Sequence, residues 1–407
     1  MRTRFTWVVA ILVLLAVGFL IACSTKYSSS SNGLIVVSTN TGNAVMDTFS
    51  LNLGNGSVTQ INNVNGPPTP GAATAVVLDP AGAYAYVIVT QNSQIGDSVT
   101  GITTYSIASD GKLALVGTTT LNDSAYPVAE AMDSAGKFLF VADLGGTVSV
   151  LSIGSGGSLS EVAGSPFPLP TEARGQSPVA SALAVTPTVF PSLGTQNTPC
   201  SGFTPPTTEN LYVTDSANYA VVNYSVSSSG ALTLVPSMTL APGVATGTVP
   251  SGVTVDPCNR FVFVSNQSPN NNVSVYKICF AVSAQCPNAD YSLQEVTGSP
   301  YAVGDLPGPL LVNPLGQFLY VLNTGAGTIS TFKISSATGT LSPLTPPTVS
   351  VNSFPQSIAI RADDLWLFVT NLNSANVSEF AITPATGQLT PLSPITTDNY
   401  PWGIAVK

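Results

Sequence analysis

The chain has 407 residues, 44% of them hydrophobic and only 8% charged, with 35 glycines, 32 prolines and no histidine. That composition describes an all-β chain dense in turns, and no stretch beyond the N-terminus carries the 3.6-residue apolar period of an amphipathic helix. The formal net charge of −9, or −11 without Arg2 and Arg4, argues against nucleic acid as a partner, because phosphate binding needs a basic footprint.

Arg2 and Arg4 precede an apolar run from Val8 to Ile21, and Leu20-Ile21-Ala22-Cys23 at its end has the form of a bacterial lipobox. The run is shorter than the roughly 20 residues that a membrane span needs. The reading that follows is a signal peptide over residues 1–22, lipidation of Cys23 and a flexible polar tether over 23–33. The expected location is the bacterial cell envelope on its extracytoplasmic side, with a monomer held to the membrane through Cys23.

From residue 34 onward the chain repeats itself. An aromatic or β-branched residue followed by valine recurs as Val36-Val37, Tyr86-Val87, Phe140-Val141, Tyr212-Val213, Phe263-Val264, Tyr320-Val321 and Phe368-Val369. Upstream of each marker lies a small apolar strand, usually entered by proline and closed by a turn, as in Pro250-Ser-Gly-Val-Thr-Val-Asp256-Pro257. Downstream comes an alternating strand such as Thr328-Ile-Ser-Thr-Phe-Lys-Ile334, then a glycine turn that opens a fourth, as in Gly339-Thr-Leu341. Four strands per unit is a propeller blade.

The strand count decides how the ring closes. The first strand, Leu34 to Ser38, is of the second type and has no inner strand before it, whereas Trp402 to Lys407 is an inner strand with nothing after it. Pairing these ends completes a seventh blade and removes exposed sheet edges. The predicted fold is therefore one all-β domain over residues 34–407, a seven-bladed propeller of four-stranded antiparallel blades.

Setting Cys23 aside leaves four cysteines and three ways to pair them. In the blade arrangement, Cys200 lies in a long insertion between the first two strands of the unit marked by Tyr212-Val213, and Cys258 occupies the equivalent turn of the next. Cys279 and Cys286 close a short extension after a third strand. The favoured pairs are Cys200 with Cys258 and Cys279 with Cys286. Without histidine or a CxxC spacing, no metal site is predicted.

Asp79-Pro-Ala-Gly82, Leu211-Tyr-Val-Thr-Asp215, Leu319-Tyr-Val-Leu-Asn323 and Ala337-Thr-Gly-Thr-Leu341 resemble the blade motifs of the YVTN and lactonase-like seven-bladed propellers. The resemblance covers essentially the whole chain after the leader. It implies kinship with 6-phosphogluconolactonase-like and carboxymuconate-cyclising enzymes, whose proposed central sites use histidine, arginine and glutamate. With no histidine here, a general base would have to be a carboxylate of raised pKa.

In an up-and-down blade, the loops leading into inner strands and those between second and third strands share one face, here called the top. Around the channel mouth on that face the ionisable candidates are Glu130, Glu172, Arg174 and Asp305, with Gln176, Gln356 and Trp402 as polar or stacking contacts. Arg174 could hold a carboxylate ligand with Glu130 or Glu172 as base. The competing reading is solvated loop charges, or an internal Arg174–Glu172 pair. Asp143, Asp215, Asn266, Asn323 and Asn371, which end second strands, are expected to make Asx turns.

No GxGxxG before a helix, P-loop, GxSxG, HExxH or EF-hand pattern occurs, and no cofactor is expected. The expected function is binding of a protein, glycan or small ligand on the top face without catalysis. The alternative is a lactone hydrolase or lactonising enzyme.

Overall fold

The computed structural model describes residues 32–39, 45–61, 71–90, 100–122, 126–170, 175–187, 208–235, 248–267, 269–283, 286, 289–398 and 400–407. They form seven antiparallel sheets, each built on four strands that run outward from the channel, in sequence order in six of them, and three sheets carry a fifth short strand on the third. Blade 1 begins with the inner strand Ala72–Leu78, blade 2 with Pro127–Met132 and blade 3 with Ala180–Val185. Blades 4, 5 and 6 begin with Pro250–Val255, Pro307–Val312 and Pro355–Ile360. In blade 7 the inner strand is the C-terminal Pro401–Val406, and the N-terminal Asn32–Thr39, Met46–Asn52 and Val58–Gln60 supply the other three.

The closure expected from the strand count is present. Val37 pairs with Ile404 and Ile35 with Val406, and backbone bonds run both ways between Leu34 and Lys407. The two ends of the chain thus share one sheet.

The marker pairs sit on second strands, where Tyr86, Phe140, Tyr212, Phe263, Tyr320 and Phe368 are fully buried. Each faces a neighbouring sheet, so the core is a ring of interblade seams. The turn glycines before the outer strands explain part of the repeat. Gly56, Gly157, Gly230, Gly339 and Gly387 all have positive φ, and a Cβ on each would lie 2.4 to 2.7 Å from an aromatic ring of the preceding blade. Both conformation and close approach therefore demand glycine.

At the turns after inner strands, the side-chain oxygens of Asp79, Asp133 and Asn313 each accept two backbone amides, and those of Asp256 accept three. At the ends of second strands the expectation of Asx turns holds for two residues. Asp143 accepts the Gly145 amide, and Asp215 accepts those of Ala217 and Asn218. The three asparagines differ: Asn266, Asn323 and Asn371 donate across to third-strand hydroxyls at 2.9 to 3.0 Å. An amide can donate sideways and a carboxylate cannot, which separates the two behaviours.

Cys279 and Cys286 form a disulfide that closes the extension of blade 4. Cys258 is also disulfide-bonded, while its expected partner Cys200 lies outside the described residues. Peptide mapping of unreduced protein is expected to return Cys279 joined to Cys286 and Cys258 joined to Cys200; free thiols at these positions would overturn both assignments. Cys23 and the proposed leader also lie outside the described residues. Among the described residues, no helix is long and apolar enough to cross a membrane.

Candidate functional site: the channel and its collar

The inner strands share one irregularity that shapes the channel. Near its start each shifts register against the second strand, for example between Pro250 and Gly252, Pro355 and Ser357, and Ala73 and Ala75. Such bulges re-aim side chains. Gln356 and Trp402, next to two of these shifts, line a central cavity of about 270 Å³ together with Glu130. Two of the channel hydroxyls are consumed by the fold: Ser181 donates to the Pro250 carbonyl at 2.8 Å and Ser251 to that of Pro307 at 2.7 Å, each bond linking adjacent blades.

Glu130 is the one ionisable side chain among the described residues that line this cavity. It pairs with the marker valine of its blade, Val141. The residues that pair with the marker valines of the other six blades are Val76, Leu183, Val253, Leu310, Ile358 and Ile404. Six blades therefore place an apolar residue where blade 2 has a carboxyl. Both carboxyl oxygens are buried without a hydrogen-bond partner. Burial raises the Glu130 pKa well above the usual carboxylate range, and the nearby Ile88 backbone offsets only part of that.

Asp305 stands away from the cavity and is tied to blade 4, its carboxylate accepting from the Asn271 side chain at 3.0 Å. Gln176 is exposed, and its backbone is clasped by the Asn218 side chain in both directions. Glu172 and Arg174 lie outside the described residues. The structure thus gathers Glu130, Gln356 and Trp402 at one place and leaves Asp305 and Gln176 outside the cavity lining.

A second feature surrounds the mouth, and composition gave no warning of it. Val249, Leu306, Phe354 and Tyr400, each immediately before an inner-strand proline, have φ between 47° and 58°. Bulky and β-branched residues rarely adopt this left-handed conformation, which costs about 1–3 kcal/mol at each position. The carbonyls of Val249, Leu306 and Phe354 hold the turn by accepting amides that follow the second strand. With Tyr126 and Leu144 of blade 2, the turns form a collar in which Tyr126 is 63% exposed, Tyr400 51% and Phe354 46%.

A family model for the lactonase seven-bladed β-propeller matches residues 32–197 and 292–402. The chain belongs to that family. The solved structures similar to this lactonase-family propeller include a candidate 6-phosphogluconolactonase from Bacteroides fragilis, at 17% identity and TM-score 0.70 over 93% of this chain and 99% of that one. The periplasmic gluconolactonase PpgL of Pseudomonas aeruginosa is similar at 19% identity and TM-score 0.70, over 92% and 99% of the two chains. At such identities the likeness carries the fold alone. A comparison with curated proteins finds no match. Among the described residues, no group of three His, Cys, Asp or Glu side chains could hold a metal ion.

Proposed function

We propose that this lactonase-family propeller is a lipid-anchored, extracytoplasmic binding protein whose apolar collar receives a partner protein of the envelope. The observation that carries the reading is the collar itself. Four blades hold a bulky apolar residue in an unfavourable backbone conformation at the same place, and the side chains of Leu306, Phe354 and Tyr400 remain substantially exposed there. The turn bonds that hold this backbone need no bulky apolar side chain, whereas exposed aromatic anchors on a rigid rim are what a protein interface uses.

A second reading, hydrolysis of a sugar lactone, is favoured by Glu130, which supplies the raised-pKa carboxyl that a histidine-free member of this family would need. Its oxygens are dry against blade 1, so the side chain would have to turn into the channel to act. The periplasmic location and gluconolactonase activity in the name of the Pseudomonas aeruginosa neighbour fit the same reading.

One set of measurements separates the two. Purified protein is expected to hydrolyse neither glucono-1,5-lactone nor 6-phosphogluconolactone above background. Crosslinking in native membranes is expected to capture a partner that Phe354→Ser with Tyr400→Ser releases while melting is unchanged. Hydrolysis that falls by about 100-fold or more in Glu130→Gln would replace the binding reading by the enzyme.

A further inference from the structure

Away from the channel, at the outer end of the seam between blades 6 and 7, lies a cavity of about 510 Å³. Phe49 and Ile395 give it apolar walls, and Gln60, Ser57 and Thr396 add polar ones. Glu379, on the third strand of blade 6 (Asn376–Thr383), lines it as well. The volume is that of a small-molecule site.

Glu379 is only 4% exposed, and its Oε1 is buried without a hydrogen-bond partner. The other six blades again serve as internal controls. Glu379 pairs with Phe368, and the residues that pair with the equivalent positions elsewhere are Thr48, Thr104, Val150, Asn223, Val275 and Thr331. The blade tolerates a small or neutral residue here and does not require a carboxylate. Among the described residues no other ionisable side chain lines the cavity, so nothing in it neutralises Glu379. A carboxylate that is buried, unpaired and beside an open cavity with no other ionisable side chain lacks a cation and a donor.

We infer that this interblade cavity binds a small organic ammonium ion, with Glu379 as its counter-ion and Phe49 as the wall for its apolar part. The ammonium supplies both the charge and the N–H donors that the carboxylate lacks. A neutral alcohol supplies one donor and no charge, and an anion is repelled.

The test uses 2-phenylethylammonium, with 2-phenylethanol and 3-phenylpropionate as the neutral and anionic matches, followed by saturation-transfer NMR on the full propeller. The ammonium is expected to bind saturably, on the order of millimolar for a ligand of this size, and at least about tenfold more tightly than either match. Burial lifts the Glu379 pKa to about 7, so this affinity should fall as the pH is taken from 8 to 5 and the carboxylate is protonated. Glu379→Gln should abolish the preference for the ammonium. Glu379→Thr, the residue three other blades carry, should do the same with a melting temperature no lower than the parent. Equal binding of ammonium and alcohol, unchanged ammonium binding in either variant, or no saturable binding would each overturn the inference.

Discussion

Deletion of Trp402 to Lys407 is expected to abolish soluble, cooperative folding. These six residues are most of an inner strand, and an inner strand is flanked on both faces by the neighbouring blades. Ile404 is buried, Gly403 is pressed against Ala75 and Val76 of blade 1, and the Trp402 carbonyl accepts the Thr370 hydroxyl of blade 6 at 2.7 Å. Removing the strand strips Val36, Val37 and Ile35, all fully buried, of their ladder partners and opens the ring at one seam. An open seam exposes apolar surface and an unpaired edge together, which favours aggregation over a smaller stable propeller. The check is a circular-dichroism melt of soluble truncated protein beside the parent; an unchanged transition would show that six blades and a partial seventh suffice.

The fold was legible because its signals are local. A marker such as Tyr320-Val321 shows β-propensity on a two-residue period, and a turn residue such as Asn313 caps amides four and five positions away. Every blade repeats these signals, so weak evidence accumulates. The site residues have no such advantage. The environment of Glu130 comes from Ile88, on the neighbouring blade, and a carboxyl in a list of top-face charges looks like any other. What would have found it was already in the chain: aligning seven inner strands on their marker valines puts Glu130 in a column of Val, Leu and Ile. The collar was not legible in that way. Val249, Leu306, Phe354 and Tyr400 have no intrinsic preference for a left-handed backbone, and the proline that follows each favours an extended one; the bonds from the loop after the second strand to Val249, Leu306 and Phe354 exist only in the folded blade.

Replacing Glu130 by leucine, the residue of blades 3 and 5, is expected to raise stability at pH 8 and to leave it nearly unchanged at pH 4. In the folded chain the carboxyl binds its proton far more tightly than in the unfolded chain, where the reference value is 4.5. Its favourable share of stability is therefore complete below that value and declines as the pH rises toward the folded pKa. Asp47 and Asp364, lifted to about 6 by burial, and Glu209, lifted to about 7, slope the same way, so the parent should melt higher at pH 5 than at pH 8. Glu130→Leu should reduce that slope and raise the melting temperature at pH 8, because the leucine has no charge to bury as the pH rises. Thermal melts of both proteins from pH 4 to 8 measure it, and parallel pH profiles would show that the buried carboxyl is not what the fold resists. A buried carboxyl where the other six blades carry an apolar residue points to use, and the same variant asks which. A stabilised Glu130→Leu that still captures its collar partner separates the carboxyl from binding, whereas a stabilised protein that has lost a measurable lactonase activity would make Glu130 the base of an enzyme.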